Sequence, residues 1–116
     1  MSEYKVIFHI DEINKWKLLL ANVSNLLNGI DNETLYIEVL ANSEAVKYYD
    51  TTQDFDADIN TMDSLNKKGI KFVACNNALV AYDIKKNNTI HFVDIVPAGI
   101  VELVRKQKEG YIYIKP

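Results

Sequence analysis

The sequence predicts an α/β fold: a three-layer α/β/α sandwich on a mostly parallel five-stranded sheet. Short runs rich in β-branched and aromatic residues alternate with helical periodicities along the whole chain. Helices of this length between strands act as crossovers, which join parallel strands and cover both faces of the sheet. The 116 residues, 48% hydrophobic and 25% charged, are the size and composition of one globular domain, residues 1–116. No repeat, linker or low-complexity stretch divides them.

Each element has a local reason. "EYKVIFHI" (3–10) reads as a buried strand. Asp11 is placed to cap a helix whose apolar residues fall at Ile13, Trp16, Leu20, Val23 and Leu27, steps of three and four that make one face. Asn28-Gly29 is the expected stop, with glycine supplying a left-handed end. "TLYIEVLA" (34–41) is the second strand, and Asn42 or Ser43 is the expected cap of "EAVKYY". The acidic stretch 50–58 reads as a surface loop. A helix with Ile59, Met62 and Leu65 on one face follows and stops at Gly69.

"IKFVAC" is then a strand, "NALVAYDI" a helix, and "KKNN" (85–88) a turn. "IHFVDIV" (90–96) holds a short fourth strand. Pro97 suits a first helical position, because the N–H it lacks would have no partner there. "AGIVELVRKQKE" is the last helix, Gly110 its stop, and "YIYIK" the fifth strand.

Composition removes several functions. A net charge of −3 argues against nucleic acid, which needs clustered Lys and Arg. The cations in Arg105-Lys106-Gln107-Lys108 sit late in a helix, where its dipole favours them. No apolar run approaches the roughly 18 residues of a membrane span. The N-terminus, with Glu3 and Lys5, does not read as a secretory signal, so the expected compartment is the cytoplasm. A single cysteine, Cys75, excludes an internal disulfide and a cysteine-based zinc site. His9 and His91 lack the spacing of a metal pair.

In open parallel sheets, sites form beyond the carboxyl ends of the strands. A flavodoxin-like doubly wound order places strands one and three side by side. The candidates at that edge are His9, Asp11, Glu12, Asn42, Ser43, Cys75, Asn76 and Asn77. The turn "HIDEIN" has no glycine for a dinucleotide pyrophosphate, and no phosphate-binding loop occurs elsewhere. Asp11-Glu12 with Lys115 has the look of a phospho-receiver, yet Cys75 stands where its acceptor aspartate belongs. Asp11 and Glu12 are sufficiently explained by capping and the helix dipole.

Two readings of Cys75 stand side by side. Free cysteine is among the most buried and inert residues. A thiol between a strand and a helix, however, meets unpaired N–H groups, with Asn76 or Asn77 as a cap and His9 as a supporting group. No cofactor and no metal is expected.

Four segments resemble the DsrE/DsrF-like family, which includes sulfur-relay proteins: "YKVIFHIDE", "IEVLANSEAV", "GIKFVACNNAL" and "VPAGIVELVRKQKEGYIYIKP". They lie in the family's order over nearly the whole chain, and the last is similar to a stand-alone subgroup. The resemblance implies a homo-oligomer, often a trimer or hexamer. It also implies that Cys75, at the end of the third strand, carries sulfur as a persulfide between a donor and an acceptor protein. With no second cysteine, such transfer is intermolecular. The other expectation is a non-enzymatic oligomeric module that binds a small molecule beside an inert Cys75. The apolar "YIYI" of the final strand suits either a subunit interface or packing under the chain's own helices.

Overall fold

A computed structural model describes residues 3–30 and 34–116. Strand β1 (Glu3–Ile10) leads through a 3-10 turn at 13–15 into helix α1 (Trp16–Gly29). Strand β2 (Thr34–Ala41) runs into a 3-10 helix (Ser43–Tyr49), followed by α2 (Ile59–Lys67). Strand β3 (Lys71–Cys75) passes directly into the short α3 (Asn76–Ala81). Strand β4 (Asp94–Val96), helix α4 (Gly99–Lys108) and strand β5 (Ile112–Ile114) complete the chain.

Every strand pairing is parallel, and the sheet order is β4-β3-β2-β1-β5. The α/β class and the five-stranded parallel sheet are as expected, but the flavodoxin-like order is not. Strands β1 and β3 are separated by β2, because the first three crossovers each step to the next strand in one direction. Only the connection through α4 goes back across the sheet, to place β5 beside β1.

This order distributes the helices unequally. Val6, Phe8 and Ile10 point to one face of β1 and join Trp16, Leu19, Val23, Met62, Leu65 and Leu79 in the main core. Ile7, Leu40 and Val73 point to the other face, where Leu103 of α4 covers them. Helices α1, α2 and α3 thus pack on one face and α4 on the other. Tyr36, on the second face, is left exposed.

Several local expectations change. Asp11 does not cap the first helix. Its carboxylate lies 3.1 Å from Lys115 Nζ, while the Ile13 N–H donates to Glu44 Oε2 at 3.0 Å. Glutamate from the 3-10 helix therefore supplies the missing cap across the fold. Among the glycines, positive φ belongs to Gly69 (+102°) and Gly110 (+96°), not to Gly29, so α1 ends without a left-handed glycine. Pro97 lies two residues ahead of α4, with Ala98 at the cap. Asn42 occupies the cap position of the 3-10 helix and Cys75 that of α3, but neither side chain makes a capping bond. Asn76 and Asn77 already lie within α3 rather than before it.

Candidate functional site

Parallel pairing brings the carboxyl ends of β1, β2 and β3 to one edge, with His9, Asn42 and Cys75 at or just past those ends. Cys75 leaves β3 on the side facing α4, and its side chain meets the start of that helix. The Gly99 N–H donates to Cys75 Sγ at 3.2 Å. A helix's first amides have no partner within the helix, so this contact satisfies one of them while giving the sulfur a donor. Such a bond is stronger to an anionic sulfur than to a neutral thiol.

The close approach depends on glycine. A Cβ at Gly99 would stand 3.2 Å from Cys75 Cβ, 3.4 Å from Asn42 Cβ and 3.5 Å from Cys75 Sγ. Cys75 sits on a strand paired on both sides, so helix α4 is the part that must yield. Gly99→Ala is expected to cost about 1 kcal/mol, overpacking outweighing the helix preference of alanine. It is also expected to slow alkylation of Cys75 severalfold, as read by thermal unfolding and iodoacetamide kinetics.

Around the sulfur lies an open cleft of about 570 Å³. Asn42, Ser43, Asn77, Tyr82, Ala98 and Ile100 are among its walls, and no Lys, Arg or His lines it. Cys75 itself is 6% exposed, at the floor. Ser43 holds a left-handed backbone (φ +48°), an uncommon conformation for a residue with a side chain.

Sequence candidates divide into those in the cleft and those beside it. Asn42, Ser43, Cys75 and Asn77 share it; Asn76, half-buried, does not line it. His9 is next to it but is not free to take a proton from the sulfur. Its Nδ1 is 2.6 Å from the Tyr113 hydroxyl and its Nε2 is 2.9 Å from Asn42 Oδ1. Asn42, at the end of the intervening strand, is what connects His9 to the cleft. Asp11 is held in its pair with Lys115, and Glu12 is exposed.

Gly99 and Tyr113 were not among the sequence candidates. Neither carries a local signal: they reach the edge only because α4 crosses the sheet and β5 pairs with β1. A second cleft, of about 340 Å³, lies against α1 and includes Trp16, Tyr48, Phe55 and Asp58. Asp58 there caps α2, accepting from the Thr61 N–H at 3.1 Å, and no thiol is present. Among the described residues no group of three His, Cys, Asp or Glu side chains is placed to hold a metal ion. Among the described residues no helix is long and apolar enough to cross a membrane.

The DsrE/DsrF-like family model matches residues 6–116. No curated protein matches the sequence. Among solved structures, the chain is similar to a protein of unknown function, MTH1491, from Methanobacterium thermoautotrophicum. The two share 33% identity and a TM-score of 0.86, over 98% of this chain and 100% of that one. The ychN protein of E. coli shares the fold, with a TM-score of 0.73 and 16% identity over 100% of both chains.

Proposed function

The chain belongs to the DsrE/DsrF-like family, and from that premise we propose that it carries sulfane sulfur on Cys75. The observation that bears most weight is the Gly99 N–H directed at Cys75 Sγ at the floor of an open cleft. An inert core cysteine needs neither a donor nor a cleft.

The transfer step balances without a cofactor. The Cys75 thiolate attacks the outer sulfur of a donor persulfide R–S–SH. A new S–S bond forms as the donor's S–S bond breaks, and the electron pair leaves on R–S⁻. The hydrogen stays on the transferred sulfur. Delivery repeats the exchange with an acceptor thiolate as the nucleophile, so donor and acceptor are separate molecules. Carriage of this kind requires no catalytic turnover.

The domain works in the cytoplasm as a homo-oligomer in this reading, a trimer or hexamer as the family implies. Support comes from apolar surface on α4 and β5: Ile100 is 66%, Val104 62% and Ile112 54% exposed. Large apolar side chains exposed on an edge strand and on a helix suit association with a second copy. Sedimentation at micromolar concentration is expected to show the oligomer, and a monomer would count against it.

Intact-mass measurement after incubation with a persulfide donor tests the carrier. Wild type is expected to gain one sulfur, and Cys75→Ser none. If wild type gains none, the alternative takes its place: an oligomeric module that binds a small molecule in the same cleft, with Cys75 as packing.

A further inference from the structure

Hydrogen bonding around His9 determines how the Asn42 amide is turned. Asn42 Oδ1 faces His9 Nε2 at 2.9 Å, and an amide oxygen only accepts, so Nε2 carries a hydrogen. In the neutral ring Nδ1 is then the acceptor, and Tyr113 donates its hydroxyl hydrogen to it across 2.6 Å. The Asn42 backbone is held as well: its N–H donates to Ile10 O at 3.0 Å, and its carbonyl accepts from Ala45 N–H at 3.1 Å. What is left over is the Asn42 Nδ2 group. It has no protein acceptor among the described residues, and it belongs to a side chain that lines the Cys75 cleft.

We propose that Tyr113, His9 and Asn42 form a positioning relay that presents the Asn42 amide hydrogens to a single negative charge beside Cys75 Sγ. Asn42 is the contact residue; His9 and Tyr113 act through it. The ligand class is a small monoanion. Neutral donors match one negative charge, whereas a doubly charged oxyanion would be left undercompensated by a lining without a cation, Lys47 being engaged over the ring of the wall residue Tyr82. For its cargo the inference rests on the sulfur-carrier reading, in which the anion is the terminal sulfur of a Cys75 persulfide.

Alkylation with two reagents of similar size tests the relay without any sulfur loading. Iodoacetate carries the negative charge and iodoacetamide does not, so the ratio of their rates at Cys75 reports the donor. Asn42→Ala is expected to lower that ratio about tenfold, the usual worth of a hydrogen bond to a charged group. Tyr113→Phe, on an exposed edge strand, frees the imidazole tautomer and is expected to lower it about threefold. This variant keeps the test usable if Asn42→Ala does not fold. His9→Gln retains an N–H near the place of Nε2 and is expected to hold the ratio closer to wild type than His9→Ala does. Nitrogen NMR is expected to find His9 hydrogenated on Nε2.

An unchanged ratio in Asn42→Ala overturns the proposal whether or not the protein takes up sulfur. So does an equal fall with both reagents, which marks a merely structural role. An Nδ1–H tautomer, or no reaction with either reagent in the folded protein, has the same consequence. If the ratio falls as expected but wild type gains no sulfur, the relay stands for another monoanion and the sulfur-carrier reading fails.

Discussion

Trp16→Ala is expected to remove about 3–5 kcal/mol of stability, the range for truncating a large buried aromatic. Trp16 is 1% exposed at the start of α1 and fastens that helix to the 3-10 helix after β2. Its ring stacks on Tyr48 with centroids 4.7 Å apart and meets Tyr49 edge-on at 5.2 Å. Its Nε1–H donates to Ala45 O at 2.9 Å. Alanine forfeits the packing and leaves a buried carbonyl without its donor. Trp16→Phe keeps most of the volume and loses the donor, so it is expected to cost about 1–3 kcal/mol. Urea unfolding followed by circular dichroism measures both, and equal losses in the two variants would contradict the packing argument. The consequence reaches the site, because the same 3-10 helix begins at Ser43, beside Asn42.

Glu38→Gln is expected to stabilise the protein at neutral and alkaline pH and to do little in acid. Glu38 is 2% exposed on the second face of β2, and its Oε2 accepts no hydrogen bond among the described residues. Burial first, then the hydrogen bond and repulsion of Glu102, push it from 4.5 up to about 8, against the opposing pull of Lys106 and Lys71. Two carboxylates this close repel unless one holds a proton, which turns the repulsion into a hydrogen bond.

Between pH 4.5 and about 8 the folded protein therefore binds a proton that the unfolded chain has released. Stability from this group is fully present below pH 4.5 and is lost as pH rises through about 8. Glutamine copies the protonated form at every pH. The variant's advantage is expected near zero at pH 4.5 and about 1–2 kcal/mol above pH 8. Denaturant titrations of both proteins across this range measure it, and a difference independent of pH would contradict the assignment.

Much of the architecture is legible along the chain, because buried parallel strands read as apolar runs and helices read as periodic ones. "IKFVAC" and "TLYIEVLA" are of the first kind, and the steps from Trp16 to Val23 are of the second. Strand order is not legible, since it depends on which way each crossover packs rather than on any residue. Taking β1 and β3 as neighbours put His9 beside the thiol, whereas β2 lies between them and delivers Asn42 instead.

Caps failed for a related reason. Asp11, Asn42 and Asn76 have the right chemistry for local bonds, but Lys115 holds Asp11, His9 holds Asn42, and Cys75 takes the position before α3. Glu38 did leave a trace: it is the one charged residue within "LYIEVLA", which is unusual in a strand buried on both faces.

The single return crossover also bears on when the surroundings of the thiol are assembled during synthesis. Strands β1, β2 and β3, with the helices of the main core, are complete before α4 and β5 leave the ribosome. Until then Cys75 lacks the Gly99 amide, His9 lacks Tyr113, and one sheet face has no cover. Domains fold largely as units, and contacts distant in sequence form late. The segment from α4 to β5 is therefore what completes the cleft, and until it folds Cys75 stands without the surroundings that the sulfur-carrier proposal requires.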